Sequence, residues 1–176
     1  MAEVAPGHLK SVLSFIGFEK RMSNNEKAKD LFFRAFNQVI DAKDSQGVAV
    51  ITIQYARFLA FKCNDVGRAC DILDQAVATI RDSKVLFLSI LNLLKHLEGC
   101  DKLQDFQSGK IKVNKVTLTY EKAVFESELS NRERKEVAYS YLEYLKENAH
   151  SIGQLKALEV RLREENLLLD VHPLQD

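Results

Sequence analysis

The chain has 176 residues, 46% of them hydrophobic and 28% charged, and its 25 lysines and arginines balance its 25 aspartates and glutamates. This composition is typical of a soluble globular protein with one continuous core, and the zero net charge gives no indication of a nucleic-acid, anionic-membrane or charged-substrate partner. No apolar run is long enough to span a bilayer, and the amino end lacks the basic-then-apolar pattern of a signal peptide. We therefore expect a soluble protein without a membrane partner.

The sequence lacks the common motifs that bind cofactors or metals. Its odd set of cysteines, Cys63, Cys70 and Cys100, contains no Cys-x-x-Cys pair, which argues against a disulfide framework and against a zinc site. The four histidines are scattered outside any His-Glu-x-x-His motif, and no glycine-rich phosphate-binding loop occurs. We expect a reducing compartment and a protein that is not an enzyme, with no cofactor, no metal and no small-molecule substrate.

Helices are predicted along most of the chain. Its two prolines, Pro6 and Pro173, lie near the ends, so the sequence between them is free of the residue that most strongly breaks helices. Apolar residues recur three and four positions apart, as in Leu31, Ala35 and Val39, which places them on one helix face. In chain order, the predicted helices cover residues 9–21, 24–42, 47–63, 66–81, 84–97, 114–128, 131–148 and 152–167.

The predicted helices form one array over residues 9–170, with about four helix pairs. One long connection is predicted at 98–113, where glycine, serine and charged residues cluster. Residues 1–8 are predicted to be a disordered or vector-derived start, and residues 171–176 a tail. Because the array starts directly at the first helix of a repeat, we expect a fragment or short isoform of a longer array.

Three predicted helix starts carry a serine followed three residues later by glutamate or glutamine. These pairs are Ser23 with Glu26, Ser130 with Glu133, and Ser151 with Gln154. In such a capping box the two side chains satisfy backbone N–H groups that the first turn leaves free. The pairs therefore predict where helices begin.

An aromatic pair on one predicted helix is followed, twice, by alanines on the next. Units that begin at Phe15-x-x-Phe18 and Tyr55-x-x-Phe58 are offset by 40 residues in the first helix and by 41 in the second. Large rings on one helix can fill the space above alanines on its partner, so we expect these residues to pack between helices. The predicted packing residues are Phe15, Phe18, Ala28, Phe32, Ala35, Tyr55, Phe58, Ala69, Leu73, Ala76, Tyr120, Ala123, Tyr141 and Tyr144.

This arrangement resembles the half-a-tetratricopeptide (HAT) repeat. The first helix of that repeat carries spaced aromatics ending in aromatic-Glu, which Phe15, Phe18 and Glu19 match. The second repeat of the chain matches through Tyr55, Phe58, Arg68, Ala69, Leu73 and Ala76. The chain departs from the family where a tryptophan is often found, at Val12, Thr52 and Ala138. The resemblance implies an all-α fold, an α-solenoid of antiparallel helix pairs.

Proteins with HAT repeats act in RNA processing. The segments Ser14–Arg21 and Tyr55–Leu59 are similar to the carboxy-terminal half of the pre-mRNA-processing factors that accompany the U-one small nuclear ribonucleoprotein (snRNP). The resemblance implies a nuclear, non-catalytic splicing scaffold that contacts protein subunits, forms homodimers and helps the U-one snRNP engage five-prime splice sites. The alternatives are a HAT scaffold of 3′-end cleavage or ribosome biogenesis, and a direct RNA-binding module.

Two further groups of residues are candidate contact sites. Lys110 and Lys112 in the long connection are candidate RNA contacts, a weak signal because no aromatic residue accompanies them. An apolar cluster follows the last predicted helix, where chain ends are normally polar. It either caps the final hairpin of its own chain or contacts a partner or second copy, and its residues are Leu167, Leu168, Leu169 and Val171.

Overall fold

The computed structural model describes residues 6–103, 114–148 and 152–168, with side chains described from residue 9 onward. Helices are the regular secondary structure found within these ranges. They are α1 (Pro6–Arg21), α2 (Asn25–Asp41), α3 (Ser45–Lys62), α4 (Val66–Thr79), α5 (Lys84–Gly99), α6 (Lys115–Glu121, continued by a π-helical turn at Lys122–Glu126), α7 (Asn131–Asn148) and α8 (Ile152–Glu164). The all-helical prediction is confirmed, and each predicted helix end lies within three residues of its place in the structure.

The chain divides into two compact units, Met1–Val113 and Asn114–Asp176, where the sequence predicts one array over residues 9–170. In the first unit the helices pack in chain order, and α3 contacts α2, α4 and α5. In the second unit, α7 contacts α6, the π-helical turn and α8. Within each unit a helix therefore packs against the helices next to it in sequence, which is a repeat-like arrangement.

Helix α3 has the most extensive packing in the first unit. Its buried residues include Val48, Ile51, Tyr55 and Leu59. The β-branched run from Val48 to Ile53 resembles a strand in sequence, yet it lies within α3. A helix that contacts three neighbours is buried on most of its surface, so it can be apolar nearly all round.

Five of the described helices end in the same backbone turn. In each, the second residue after the helix has a positive φ, and these residues are Ser23, Lys43, Asn64, Asp101 and Asn166. After α2, the N–H of Lys43 donates to the carbonyl of Ile40 at 3.0 Å, and the N–H of Asp44 donates to the carbonyl of Val39 at 3.1 Å. These two bonds satisfy the last carbonyls of the helix and reverse the chain within a few residues. Consecutive helices can therefore lie side by side.

The helix starts confirm one predicted capping box and contradict another. At the start of α7, the Ser130 hydroxyl accepts from the N–H of Glu133, and the Glu133 carboxylate accepts from the N–H of Ser130. Ser23 instead has a φ of 58° in the turn after α1, so the prediction that it caps α2 is wrong. Ser151 lies outside the described residues. The side chains that cap other helices are those of Asp44, Asp65, Ser83 and Asn114.

The long connection predicted at 98–113 starts later than expected. Helix α5 continues to Gly99, Leu103 is buried, and the Lys102 ammonium donates to the Asn64 side chain at 3.0 Å. Burial of the leucine holds this part of the chain against the rest of the first unit.

The regions that lie outside the described residues are 1–5, 104–113, 149–151 and 169–176. None of the helices in the described ranges combines the length and the apolar character needed to cross a membrane.

The π-helical turn after α6 has side-chain partners for its backbone. The Arg134 guanidinium, on α7, donates to the carbonyl of Val124 at 2.7 Å, and the Ser127 hydroxyl donates to the carbonyl of Ala123 at 2.6 Å. These bonds satisfy backbone groups where the regular helical ladder ends. The Arg161 guanidinium, on α8, lies 4.1 Å from the centre of the ring of the neighbouring Phe125. The turn therefore contributes to packing against both α7 and α8.

Candidate functional site

Aromatic rings pack between α2 and α3 in the first unit. The ring of Phe32 on α2 is stacked on Tyr55, with centroids 5.3 Å apart and planes 13° apart, and it lies 5.3 Å from the ring of Phe58 at a steeper angle. Phe32 is fully buried, and so is Ala28 one turn before it. The small side chain lets the two helices approach closely enough for the rings to make contact.

The same arrangement recurs between α6 and α7 in the second unit. Tyr120 on α6 is stacked on Tyr141, with centroids 4.9 Å apart and planes 7° apart, and lies 5.6 Å from the ring of Tyr144. Ala123, three residues after Tyr120, is fully buried, as Ala35 is nearly so three residues after Phe32 in the first unit. In both units, one ring from the earlier helix contacts two rings spaced three residues apart on the later helix.

The rings of the second unit carry hydroxyl groups that form hydrogen bonds. Tyr141 donates to the Glu121 carboxylate at 2.9 Å, and Tyr144 accepts from the Asn114 side chain at 2.9 Å. Burial and the bond to Glu121 both raise the pKa of Tyr141 above its ordinary value of 10.0. The hydroxyl of Tyr55, at the matching place in the first unit, is buried without a hydrogen-bond partner among the described residues, and burial raises its pKa. Equivalent tyrosines therefore have opposite hydrogen-bonding environments.

Removing each hydroxyl is expected to have opposite effects on stability. Tyr55→Phe deletes a buried group that has no partner, so we expect the free energy of unfolding to stay unchanged or to rise by up to about 1 kcal/mol. Tyr141→Phe deletes a hydrogen bond to a carboxylate, so we expect a loss of about 1.5 kcal/mol or more. Urea unfolding of both variants measures the difference. A loss of equal size in the two variants would contradict this account.

Two predicted packing residues, Phe15 and Phe18 on α1, are not buried. Their exposed fractions are 46% and 49%, so the prediction that they pack between helices is wrong in this structure. Helix α1 packs against the rest of the first unit through a different face, on which Ile16 and Glu19 are buried. The other predicted packing residues are all buried: Ala28, Phe32, Ala35, Tyr55, Phe58, Ala69, Leu73, Ala76, Tyr120, Ala123, Tyr141 and Tyr144.

The two exposed rings belong to a longer row of side chains on α1 and on the turn that directly follows it. Ser11, Phe15, Phe18 and Met22 follow one another at spacings of four, three and four, which places them on one helix face, and all are exposed. We call this face the α1 stripe. The Lys27 ammonium lies 5.3 Å from the centre of the Phe15 ring. The predicted residues include neither Ser11 nor Met22, although their helical spacing relative to the two rings is visible in the sequence.

Glu19, the glutamate of the HAT-like motif, lies beside the α1 stripe and is buried. Its carboxylate accepts from the Lys27 ammonium at 2.6 Å and from the Asn24 side chain at 2.8 Å. These two hydrogen bonds hold the pKa of Glu19 below its ordinary value of 4.5. The glutamate therefore joins α1 to the start of α2, and its charge is matched by a cation.

Acidification is expected to remove the stabilising contribution of Glu19. A carboxylate with a lowered pKa stabilises the folded state above about pH 4.5, and this stabilisation is lost as the pH falls through the pKa of the folded protein. Glu19→Gln should therefore lower the urea midpoint at neutral pH, and the gap to the unmodified protein should narrow at about pH 3. Glu26→Gln, in an exposed surface pair with Lys29, is the control and should change little at either pH. An equal difference in urea midpoint between Glu19→Gln and the unmodified protein at both pH values would contradict this stabilising role of the Glu19 carboxylate.

The apolar cluster at the end of the chain is partly in the core of the second unit. Leu167 is fully buried and Leu168 is half-buried, and the backbone N–H groups of both donate to the carbonyl of Leu162. The candidate partner contact at Leu167 is therefore corrected: this residue caps the final helix of its own chain. The other candidates outside the described residues are Leu169, Val171, Lys110 and Lys112.

The cysteines and histidines show no clustering in the described part of the chain. Cys70 is buried, Cys63 is half-buried, and Cys100 is exposed. Burial raises the pKa of the Cys63 thiol. The His96 ring lies 5.5 Å from that of Phe61. The described residues contain no group of three or more histidine, cysteine, aspartate or glutamate residues arranged to hold a metal ion.

The candidate functional site is therefore the α1 stripe, the exposed counterpart of the buried aromatic pairs on α3 and α7. Comparison with known proteins does not assign the chain to a family. No protein-family model matches it, and a search of curated proteins found no match.

Proposed function

We propose that this protein is a non-catalytic HAT-repeat scaffold, an α-solenoid of antiparallel helix pairs that binds protein subunits of a ribonucleoprotein complex. The observation that supports this proposal most is the recurrence of the aromatic junction: Phe32 against Tyr55 in one unit and Tyr120 against Tyr141 in the other. Helical-repeat proteins are built from such repeated junctions, and they use the remaining helix faces to bind partners.

The environment of the aromatic rings favours binding of proteins over direct stacking on RNA. The rings of Phe32, Tyr55 and Tyr120 are fully buried, so they have no free face for a base. Among the exposed rings, Phe15 and Phe18 stand on the surface of one helix in a row with Met22. Exposed apolar rows of this kind are typical of surfaces that contact another helix.

Within this proposal, the scaffold acts in nuclear pre-mRNA splicing and helps the U-one snRNP engage five-prime splice sites. The support is the similarity of Ser14–Arg21 and Tyr55–Leu59 to the processing factors that accompany that particle. A scaffold of 3′-end cleavage or of ribosome biogenesis would share the same repeats. The RNAs and proteins that the chain binds distinguish these complexes.

Affinity capture from nuclear extract tests the proposal. The tagged full chain is expected to enrich U-one small nuclear RNA over the other spliceosomal RNAs, measured by quantitative reverse transcription, together with proteins of that particle, measured by mass spectrometry. A Phe32→Ala variant, with its core disrupted, is the control and should recover neither. Capture of 3′-end cleavage factors or pre-ribosomal proteins would overturn the splicing assignment, and capture of no RNA-processing protein would overturn the proposal as a whole.

Self-association is also part of the proposal, because the resemblance implies homodimers. Light scattering coupled to size-exclusion chromatography should give a mass of about twice 20.0 kDa at high protein concentration. The mass of a single chain at every concentration would remove the homodimer from the proposal.

A further inference from the structure

We draw no further inference here: the strongest candidate, the surface cluster where α3 and α5 end, in which the exposed Phe61 ring lies near His96 and Lys102, carries nothing because nothing in the described part of the structure shows what covers it.

Discussion

Phe32→Ala is expected to lower the free energy of unfolding by about 3–5 kcal/mol, the usual range for removal of a large aromatic side chain from a core. Phe32 is fully buried and contacts the rings of both Tyr55 and Phe58. Its removal therefore leaves a cavity between α2 and α3 that neighbouring side chains cannot fill without moving helices. Urea unfolding followed by far-UV circular dichroism measures the loss.

The adjacent residue provides the control. Phe33 is 42% exposed, and the Arg68 guanidinium lies 5.9 Å from the centre of its ring. Phe33→Ala removes the same side chain from the same helix, and we expect a loss of about 1 kcal/mol or less, because an exposed cation–π contact contributes little. Equal losses at the two positions would mean that the aromatic junction does not stabilise the first unit.

Tyr120→Ala is expected to have a comparable effect on the second unit, about 3–5 kcal/mol. The variant loses the stacked contact with Tyr141, the contact with Tyr144 and the hydrogen bond to the Ser140 hydroxyl. A unit of this size has little stability to spare, so the loss should expose the backbone of α7 to solvent. Hydrogen exchange measured by mass spectrometry should rise in peptides from α7, because this method detects a local loss of structure directly.

Tyr139→Ala is the matched control for the second unit. Tyr139 is on α7, two residues from Tyr141, and is 48% exposed. Its removal should leave hydrogen exchange within α7 nearly unchanged, because it deletes little buried surface. If Tyr139→Ala and Tyr120→Ala raised exchange equally, the stacked pair could not be the main support of this unit.

The helices themselves were predictable because their signals are local. A proline-free chain with apolar residues every three and four positions predicts helices, and the aromatic and alanine spacings predict which faces meet. The capping box of Ser130 and Glu133 is likewise local, since both partners lie within one turn. The prediction at Ser23 failed, although the same pattern is present, because the bonds that end α1 hold this serine in a left-handed conformation.

The candidate site was predicted less well, because exposure depends on neighbours that are distant in sequence. The pattern Phe15-x-x-Phe18 is similar to Tyr55-x-x-Phe58, and sequence alone assigns both to the core. The structure covers the second pair with Phe32 and leaves the first exposed. Because the two local patterns are so similar, the difference in the exposure of their rings comes from how the helices pack.

The sequence by itself determined that the protein is helical, where its helices begin and end, and that rings alternate with small residues along its length. These properties depend on backbone hydrogen bonds and side-chain spacings between residues that are only a few positions apart in sequence. Only the tertiary structure decided that the chain forms two units, that Leu167 is buried in the second, and that the α1 stripe is exposed. Burial depends on which surfaces come together in space, and a short segment of sequence does not identify the surfaces that will pack against it.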